Sequence, residues 1–256
     1  MIGAGAFGVA LGKVLGYNGH AVTYFDQKNP ELTPETATEA AEVLILAIPS
    51  GAIPEFVANL PDRLKSLPVM LASKGLLSLE PFVGLDRFSV ISGASFAEEL
   101  MAGSPVTLTA TDALANELFA GEQVTIELTD DILGVMLCGS LKNIYAIGAG
   151  ALPEFQGTVA AYACRAFAEL KQYLERHGAN PATAERACGL ADLMMTLTST
   201  TSRNFRHGRA LRMAGQANAQ AAQAELGTVE GLATLMQVDR EGYPEIEKVY
   251  RLASGL

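Results

Sequence analysis

Three glycines within the first eight residues constrain this chain more than any other feature. They form the pattern Gly3-x-Gly5-x-x-Gly8, and a helix-like segment follows from Phe7 to Tyr17. In such a pattern the first glycine permits a tight turn, the second lets phosphates approach the backbone, and the third lets the helix pack closely on a sheet. The helix N-terminus then faces negative charge. The pattern favours a dinucleotide-binding turn, with a purely structural glycine turn as the alternative.

Short apolar runs alternate with helix-like segments through the first half of the chain. The apolar runs are 21–25, 43–48, 69–72, 88–92, 106–109 and 124–128. The helix-like segments between them are 7–17, 34–41, 52–60, 96–102 and 112–120. Continuous apolar strands separated by helices are typical of a parallel sheet covered on both faces. The sequence therefore predicts an α/β fold with a doubly wound, parallel, Rossmann-type sheet.

The first two strands of this sheet carry a further signal and an anomaly. Asp26 follows the run 21–25, about 20 residues after the glycines, where an acid is expected to bind ribose hydroxyls. Only Met1 and Ile2 precede Gly3, so the first strand has little room. We therefore expect a rudimentary strand, or a natural chain that has a few more residues at its start.

The pattern changes after Thr129, where strand-like runs give way to helical stretches. We expect a dinucleotide-binding domain over residues 1–129 and an all-α substrate and catalytic domain over residues 130–256. The stretch 132–152 is apolar and long enough to span a bilayer, but Lys142 lies at its middle. A charge at that depth is costly, so we expect a buried helix of a soluble protein and no membrane insertion.

Composition limits the partners. A formal net charge of −10 disfavours nucleic acid, which needs a basic surface, but it leaves room for a phosphorylated small molecule. Neither the three cysteines nor the three histidines have metal-ligand spacing, so no metal centre is expected. The odd number of cysteines and the lack of a signal-like start favour a reducing, cytoplasmic location. A homodimer is left open.

Several further segments occur in a fixed order after the glycine loop. They are 72–75 (ASKG), 92–97 (SGASFA), 139–143 (GSLKN), 189–193 (GLADL), 196–208 with Ser202-Arg203-Asn204, and 229–231 (VEG). This ordered set resembles NAD(P)-dependent glycerol-3-phosphate dehydrogenases. The resemblance implies interconversion of sn-glycerol 3-phosphate and dihydroxyacetone phosphate by hydride transfer. It also implies a place in glycerophospholipid metabolism and phospholipid biosynthesis.

The resemblance also assigns the site residues. Lys142 and Asp192 are expected to be catalytic. The expected substrate-binding residues are Lys74, Gly93, Ser95, Lys142, Asn143, Asp192, Ser202, Arg203 and Asn204. The expected cofactor-binding residues are Gly3, Gly5, Ala6, Phe7, Gly8, Asp26, Lys74, Ala97, Arg203 and Glu230.

The residue types suit these roles. A lysine in an apolar helix, such as Lys142, loses hydration and becomes available for acid–base chemistry, although a snorkelling lysine is the alternative. Asp192 lies in an apolar stretch and needs a partner, for which Lys142 is the natural candidate; a helix-capping aspartate is the other reading. Lys74 follows an apolar run and is expected at the carboxyl end of a strand. The guanidinium fork of Arg203 matches phosphate oxygens.

The chain departs from the family pattern at several positions. Ala94, Ala191 and Phe7 replace the usual Pro, Gly and Trp, and the segment between Asp26 and Ala41 is short. Because Asp26 would repel the extra phosphate of NADP, NAD is expected to be the preferred cofactor, although Lys28 could receive that phosphate. Two alternative functions stay open: a related hydroxyacid or ketopantoate-type reductase, and a nicotinamide-binding sensor or scaffold.

Overall fold

A computed structural model describes residues 1–26, 34–75, 77–153, 155–213 and 227–256 of the chain. It contains two compact units, the first of residues 1–74 and 78–132 and the second of residues 75–77 and 133–256. The predicted domain boundary after Thr129 lies a few residues before the end of the first unit. Lys28, considered above for cofactor preference, lies outside the described residues.

The first unit is built on a five-stranded sheet whose spatial order follows the chain. Its strands are β1 (Leu44–Leu46), β2 (Pro68–Leu71), β3 (Arg87–Gly93), β4 (Val106–Ala110) and β5 (Val124–Leu128). The pairs β1–β2, β2–β3 and β4–β5 are parallel. All three residues of β1 are buried, as expected for a strand covered on both faces. The predicted α/β fold with a largely parallel sheet is confirmed.

One strand pair corrects the prediction of a parallel sheet. β3 and β4 are antiparallel, with Ile91 opposite Ala110 and Ser92 opposite Thr109. The connection between these strands contains the six-residue helix Ala97–Ala102, and β4 re-enters the sheet at the edge where β3 ends.

The first strand is reduced to a single bridging residue. Ile2 pairs in parallel with Phe25 on one side and with Leu46 on the other. The amide of Ile2 donates to the carbonyl of Ile45 at 2.8 Å, and the amide of Gly3 donates to the carbonyl of Phe25 at 2.7 Å. The strand predicted over residues 21–25 is therefore wrong except at Phe25. The glycine loop nevertheless starts directly from the sheet.

Six helices accompany this sheet in the described part of the first unit. They are α1 (Ala6–Tyr17), α2 (Pro34–Ala37), α3 (Ile53–Ala58), α4 (Asp62–Lys65), α5 (Ala97–Ala102) and α6 (Leu114–Phe119), with 3₁₀ turns at Ser50–Ala52 and Glu80–Phe82. Helix α1 packs on α5 and buries Leu11 and Leu15 in the core.

The described part of the second unit is helical. Its helices are α7 (Ile132–Gly150), α8 (Gln156–Arg176), α9 (Asp192–Thr198), α10 (residues 203–213), α11 (Glu230–Leu235) and α12 (Pro244–Ser254). A 3₁₀ segment, Pro181–Glu185, and a π-helical turn, Ala187–Ala191, precede α9.

Helix α7 forms the centre of the second unit. Among the described residues it is the only helix long and apolar enough to cross a membrane, and 89% of its apolar window is buried in the protein. This agrees with the predicted buried helix. α7 crosses α10 at backbone contact, since a side chain at Gly208 would collide with the carbonyl of Ile147. The helices that carry Lys142 and Asn143 on one side and Arg203 and Asn204 on the other are thereby held together.

Candidate functional site

The glycine loop of the first unit has the geometry of a phosphate-binding turn. Gly3 has a φ of +103°, and a Cβ there would lie 2.5 Å from the carbonyl oxygen of Ala47. A Cβ on Gly8 would collide with the carbonyl of Gly3. A Cβ on Gly5, in contrast, would meet no described atom within 4 Å. The loop is therefore closed on the protein side and open where a ligand would approach.

The start of α1 leaves its backbone amides available to an anion. Gly5 is the N-cap residue, and no side chain caps the helix; Ala6 and Phe7 form its first turn. The first amides of a helix lack partners within the helix and bind phosphate well. The residues present thus fit the pyrophosphate of a dinucleotide.

Asp26 lies beside this loop. Its Oδ2 accepts a hydrogen bond from the backbone amide of Ala4 at 3.0 Å. The carboxylate is thus tied to the residue between the first two glycines, at the end of the segment that pairs with Ile2. This is the position from which a carboxylate can accept hydrogen bonds from ribose hydroxyls.

Four more predicted residues lie near the end of β3. The ammonium of Lys74 donates to the carbonyl of Gly93 at 3.3 Å. A side chain at Gly93 would lie 2.6 Å from the carbonyl of Thr107, so only glycine fits between β3 and β4. The hydroxyl of Ser95 is buried and has no partner among the described residues. Ala97 is the first residue of α5.

In the second unit, Lys142 and Asp192 form a buried ion pair. The Lys142 side chain is 7% exposed and that of Asp192 is fully buried. Lys142 Nζ donates to Asp192 Oδ1 and, at 3.1 Å, to the hydroxyl of Thr196. That hydroxyl uses its own hydrogen on the carbonyl of Asp192 at 2.6 Å, so its oxygen faces the ammonium as an acceptor. The lysine is held by two acceptors in a site without bulk water.

The π-helical turn at Ala187–Ala191 positions Asp192 and leads directly into α9. A side chain at Gly189 would collide with the backbone of Ala184, so the turn packs directly on the 3₁₀ segment before it. Wider helical turns of this kind occur frequently at functional sites. Asp192 therefore belongs to a helix start whose direction is fixed by backbone packing, and it does not act as a helix cap.

Asn143, Asn204 and Glu230 form a second polar cluster in the same unit. Asn143 Nδ2 donates to Glu230 Oε2 at 3.2 Å, and Asn204 Nδ2 donates to Asn143 Oδ1 at 3.0 Å. Asn204 Oδ1 accepts from the backbone amide of Gly231 at 2.9 Å. Both asparagines are buried. Their sequence neighbours Lys142 and Arg203 thereby have fixed backbone positions.

Ser202 and Arg203 lie at the start of α10. Ser202 is buried, and its hydroxyl accepts from the amide of Phe205 at 3.4 Å, which caps the helix. The Arg203 side chain is exposed and makes no hydrogen bond or ion pair with any other described residue. Its guanidinium therefore keeps its donors available for an anionic ligand.

Known proteins resemble this chain over nearly its whole length. The family profile described as the NAD-dependent glycerol-3-phosphate dehydrogenase N-terminus matches residues 30–117, and the profile of the C-terminus matches residues 131–253. A glycerol-3-phosphate dehydrogenase [NAD(P)+] of Halorhodospira halophila is 34% identical, covering all of this chain and 92% of the relative. Its counterpart in Pseudomonas savastanoi pv. phaseolicola is 32% identical, with coverage of 100% and 87%. The chain belongs to the NAD-dependent glycerol-3-phosphate dehydrogenase family.

Solved structures of the family share the fold. A glycerol-3-phosphate dehydrogenase of Coxiella burnetii has a TM-score of 0.84 and 28% identity, covering all of this chain and 94% of the other. The enzyme of Saccharomyces cerevisiae, at 20% identity and a TM-score of 0.80, shows the same fold. The match to the Halorhodospira relative extends over 308 residues, more than the 256 of this chain, so this family member lacks internal residues that the relative has.

The structure shows contacts of two residues to which the sequence assigned no function. Thr196 binds Lys142, and the backbone amide of Gly231 binds Asn204. The signal for Thr196 was its spacing, because a residue four positions after Asp192 on a helix lies on the same face. The contact of Gly231 is made by the backbone and has no side-chain signature.

Proposed function

We propose that this family member interconverts sn-glycerol 3-phosphate and dihydroxyacetone phosphate by hydride transfer with NAD or NADP. The observation that carries the proposal is the buried Lys142–Asp192 pair with Thr196 as its third member. Buried ion pairs are weak contributors to stability, and apolar residues of similar volume often serve as well. A chemical role accounts for keeping the pair in a helix as apolar as α7.

The first unit supplies the nucleotide-binding part of the proposal. Gly3, Gly5 and Gly8 with the first turn of α1 would hold the pyrophosphate, and Asp26 would bind the adenosine ribose. The bound nicotinamide supplies or accepts the hydride. NAD is the expected preference, since the Asp26 carboxylate repels a 2′-phosphate.

Lys142 is proposed as the acid–base group of the second unit. In the reducing direction its ammonium stabilises the negative charge that develops on the ketone oxygen and donates a proton to it. In the oxidising direction the neutral amine removes that proton from the alcohol. Asp192 and Thr196 orient the lysine through hydrogen bonds. The Asp192 carboxylate also balances the positive charge of Lys142 when the lysine is protonated.

Arg203 and the asparagines are proposed to bind the substrate phosphate. Arg203 is exposed at the start of a helix, where the helix dipole also favours an anion. Its planar fork can donate two parallel hydrogen bonds to phosphate oxygens. Ser202, Asn143 and Asn204 would complete this shell, and the substrate roles of Lys74, Gly93 and Ser95 stay predictions.

The test is oxidation of NADH and of NADPH, followed at 340 nm, with dihydroxyacetone phosphate as the substrate. We expect turnover in the wild type and a loss of about 10² or more in kcat for Lys142→Ala, the usual scale of acid–base catalysis. The matched control is Lys171→Ala, because Lys171 is a surface residue that pairs with Glu185. Full activity of Lys142→Ala would refute the catalytic assignment.

The same assay separates the rival functions. Reduction of unphosphorylated 2-keto acids in preference to dihydroxyacetone phosphate would favour a hydroxyacid or ketopantoate-type reductase. Binding of NADH without turnover of any of these ketones would favour a sensor.

The cellular setting is part of the proposal. The three cysteines all lie in the described part of the chain and form no disulfide there, and two of them are buried, which agrees with a reducing cytoplasm. The product, sn-glycerol 3-phosphate, is the backbone of glycerophospholipids, so the enzyme would serve phospholipid biosynthesis. A homodimer remains a prediction, and light scattering of the purified protein would test it.

A further inference from the structure

The polar cluster of Asn143, Asn204 and Glu230 has a unique hydrogen-bond direction. At one end stands the Glu230 carboxylate, which only accepts, so Asn143 must present its nitrogen to it. At the other end stands the backbone amide of Gly231, which only donates, so Asn204 must present its oxygen. The middle bond, from Asn204 Nδ2 to Asn143 Oδ1, is the one that both ends require. Neither amide can flip without losing a bond.

Close packing of the backbone holds the members of this cluster in place. A Cβ on Gly231 would lie 2.5 Å from the backbone oxygen of Asn143, so the start of α11 rests on the backbone of α7. Asn143 and Asn204 are 4% and 8% exposed, whereas Glu230 is half-buried. The three side chains therefore connect α7, α10 and α11, and Glu230 is the member that solvent reaches most easily.

The fixed direction determines what the cluster offers to a ligand. Each asparagine nitrogen carries two hydrogens, of which the cluster uses one, while both amide oxygens point to partners inside it. Each asparagine is thus left with one N–H to donate. Two N–H donors suit the oxygens of an anion such as a phosphate.

We infer that Glu230 is a positioning residue for the substrate: its carboxylate orients Asn143, and through it Asn204, so that both present N–H donors to the substrate phosphate. This inference rests on the proposed function and adds to the cofactor contact that the family resemblance implies for Glu230. A carboxylate here acts by accepting one hydrogen bond, so a neutral acceptor of the same shape should replace it.

The test compares Glu230→Gln, which keeps an acceptor oxygen, with Glu230→Met, which has similar length and no acceptor. The measurement is the KM for dihydroxyacetone phosphate at saturating cofactor, with NADH binding to the free enzyme titrated separately by fluorescence. We expect Glu230→Met to raise the substrate KM about tenfold, the effect of losing one hydrogen bond to a charged group, and Glu230→Gln to change it less than about threefold. Glu241→Met is the control, since Glu241 is exposed and in the same part of the chain.

A second background tests whether Glu230 acts through Asn143. In an Asn143→Ala protein, Glu230→Met should change the substrate KM by less than about twofold, because the group it orients is gone. A full tenfold effect in that background would overturn the inference. So would a Glu230→Met protein with normal substrate KM and weakened NADH binding, or equal damage from Gln and Met. Glu230→Ala provides a second acceptor-free variant if the Met protein folds poorly.

Failure of the proposed function would be seen separately, as a wild type without turnover. The cluster is then tested by titration with inorganic phosphate while the side-chain amide resonances of Asn143 and Asn204 are followed by NMR. Shifts in the wild type and in Glu230→Gln, reduced in Glu230→Met, would support the inference. Identical shifts in all three proteins would refute it.

Discussion

Removing one member of the buried Lys142–Asp192 pair should destabilise the second unit more than removing both. Lys142→Met leaves the buried Asp192 carboxylate without its cation, and Asp192→Leu leaves the buried Lys142 ammonium without its carboxylate. The double variant contains neither charge. Its two apolar side chains fill a space that the surrounding residues of α7 already make apolar.

The burial of the pair sets the size of the expected loss of stability. Breaking a buried ion pair from one side costs about 3–5 kcal/mol, because an uncompensated charge stays behind. Two independent losses of this size would sum to about 6–10 kcal/mol. We expect the double variant to lose no more than either single variant, which corresponds to a coupling of at least about 3 kcal/mol.

Urea unfolding followed by tyrosine fluorescence is the suitable assay. The protein contains no tryptophan, and five of its seven tyrosines, namely Tyr145, Tyr162, Tyr173, Tyr243 and Tyr250, belong to the second unit. With a slope of about 2–3 kcal/mol per molar urea, each single variant should shift the midpoint down by about 1–2 M. A double variant whose loss equals the sum of the two single losses would show that the charges do not depend on each other, and the reasoning would be wrong.

Three further outcomes follow from the described residues. Arg203→Lys should raise the KM for dihydroxyacetone phosphate about tenfold or more, since an ammonium lacks the two-pronged fork; use of unphosphorylated dihydroxyacetone at the same kcat/KM would contradict this. Asp26→Ala should lower the ratio of kcat/KM for NADH over NADPH, and a wild type that prefers NADPH regardless of this change would show that Asp26 does not read the ribose. Burial lowers the pKa of His207 from its usual 6.5, so the unfolded chain binds the proton first as the pH falls. Stability should therefore decline below about pH 6.5 in the wild type and decline less in His207→Leu, with His20→Gln as the control; parallel curves of the urea midpoint against pH would refute the assignment.

The strands of the first unit were predictable because buried parallel strands are uniformly apolar. The runs 43–48 and 69–72 each overlap a buried strand of the sheet, β1 and β2 respectively. The direction of β4 was not predictable from its residues, since an apolar strand reads the same in either orientation. The length of the connecting helix does not decide it either, since α5 and α6 both have six residues, whereas β3 and β4 are antiparallel and β4 and β5 are parallel.

The candidate site was predictable where a side chain carries a charge into an apolar setting. Lys142 and Asp192 both stand out for this reason, and the structure brings them together. The direction of the asparagine cluster was not predictable, because it depends on the backbone amide of Gly231. Ile2 shows a different limit, since a strand of one bridging residue leaves no periodicity to detect.

The π-helical turn at Ala187–Ala191 gives the chain a tolerance in length just before Asp192. Each residue of an α-helix advances the side-chain direction by about 100°, and a π turn holds one residue more than an α turn. A chain with one residue fewer could therefore close this turn as an ordinary α-helix and still direct Asp192 towards Lys142. Gly189 is the residue of the turn that cannot accept a side chain, because a Cβ there would collide with the backbone of Ala184.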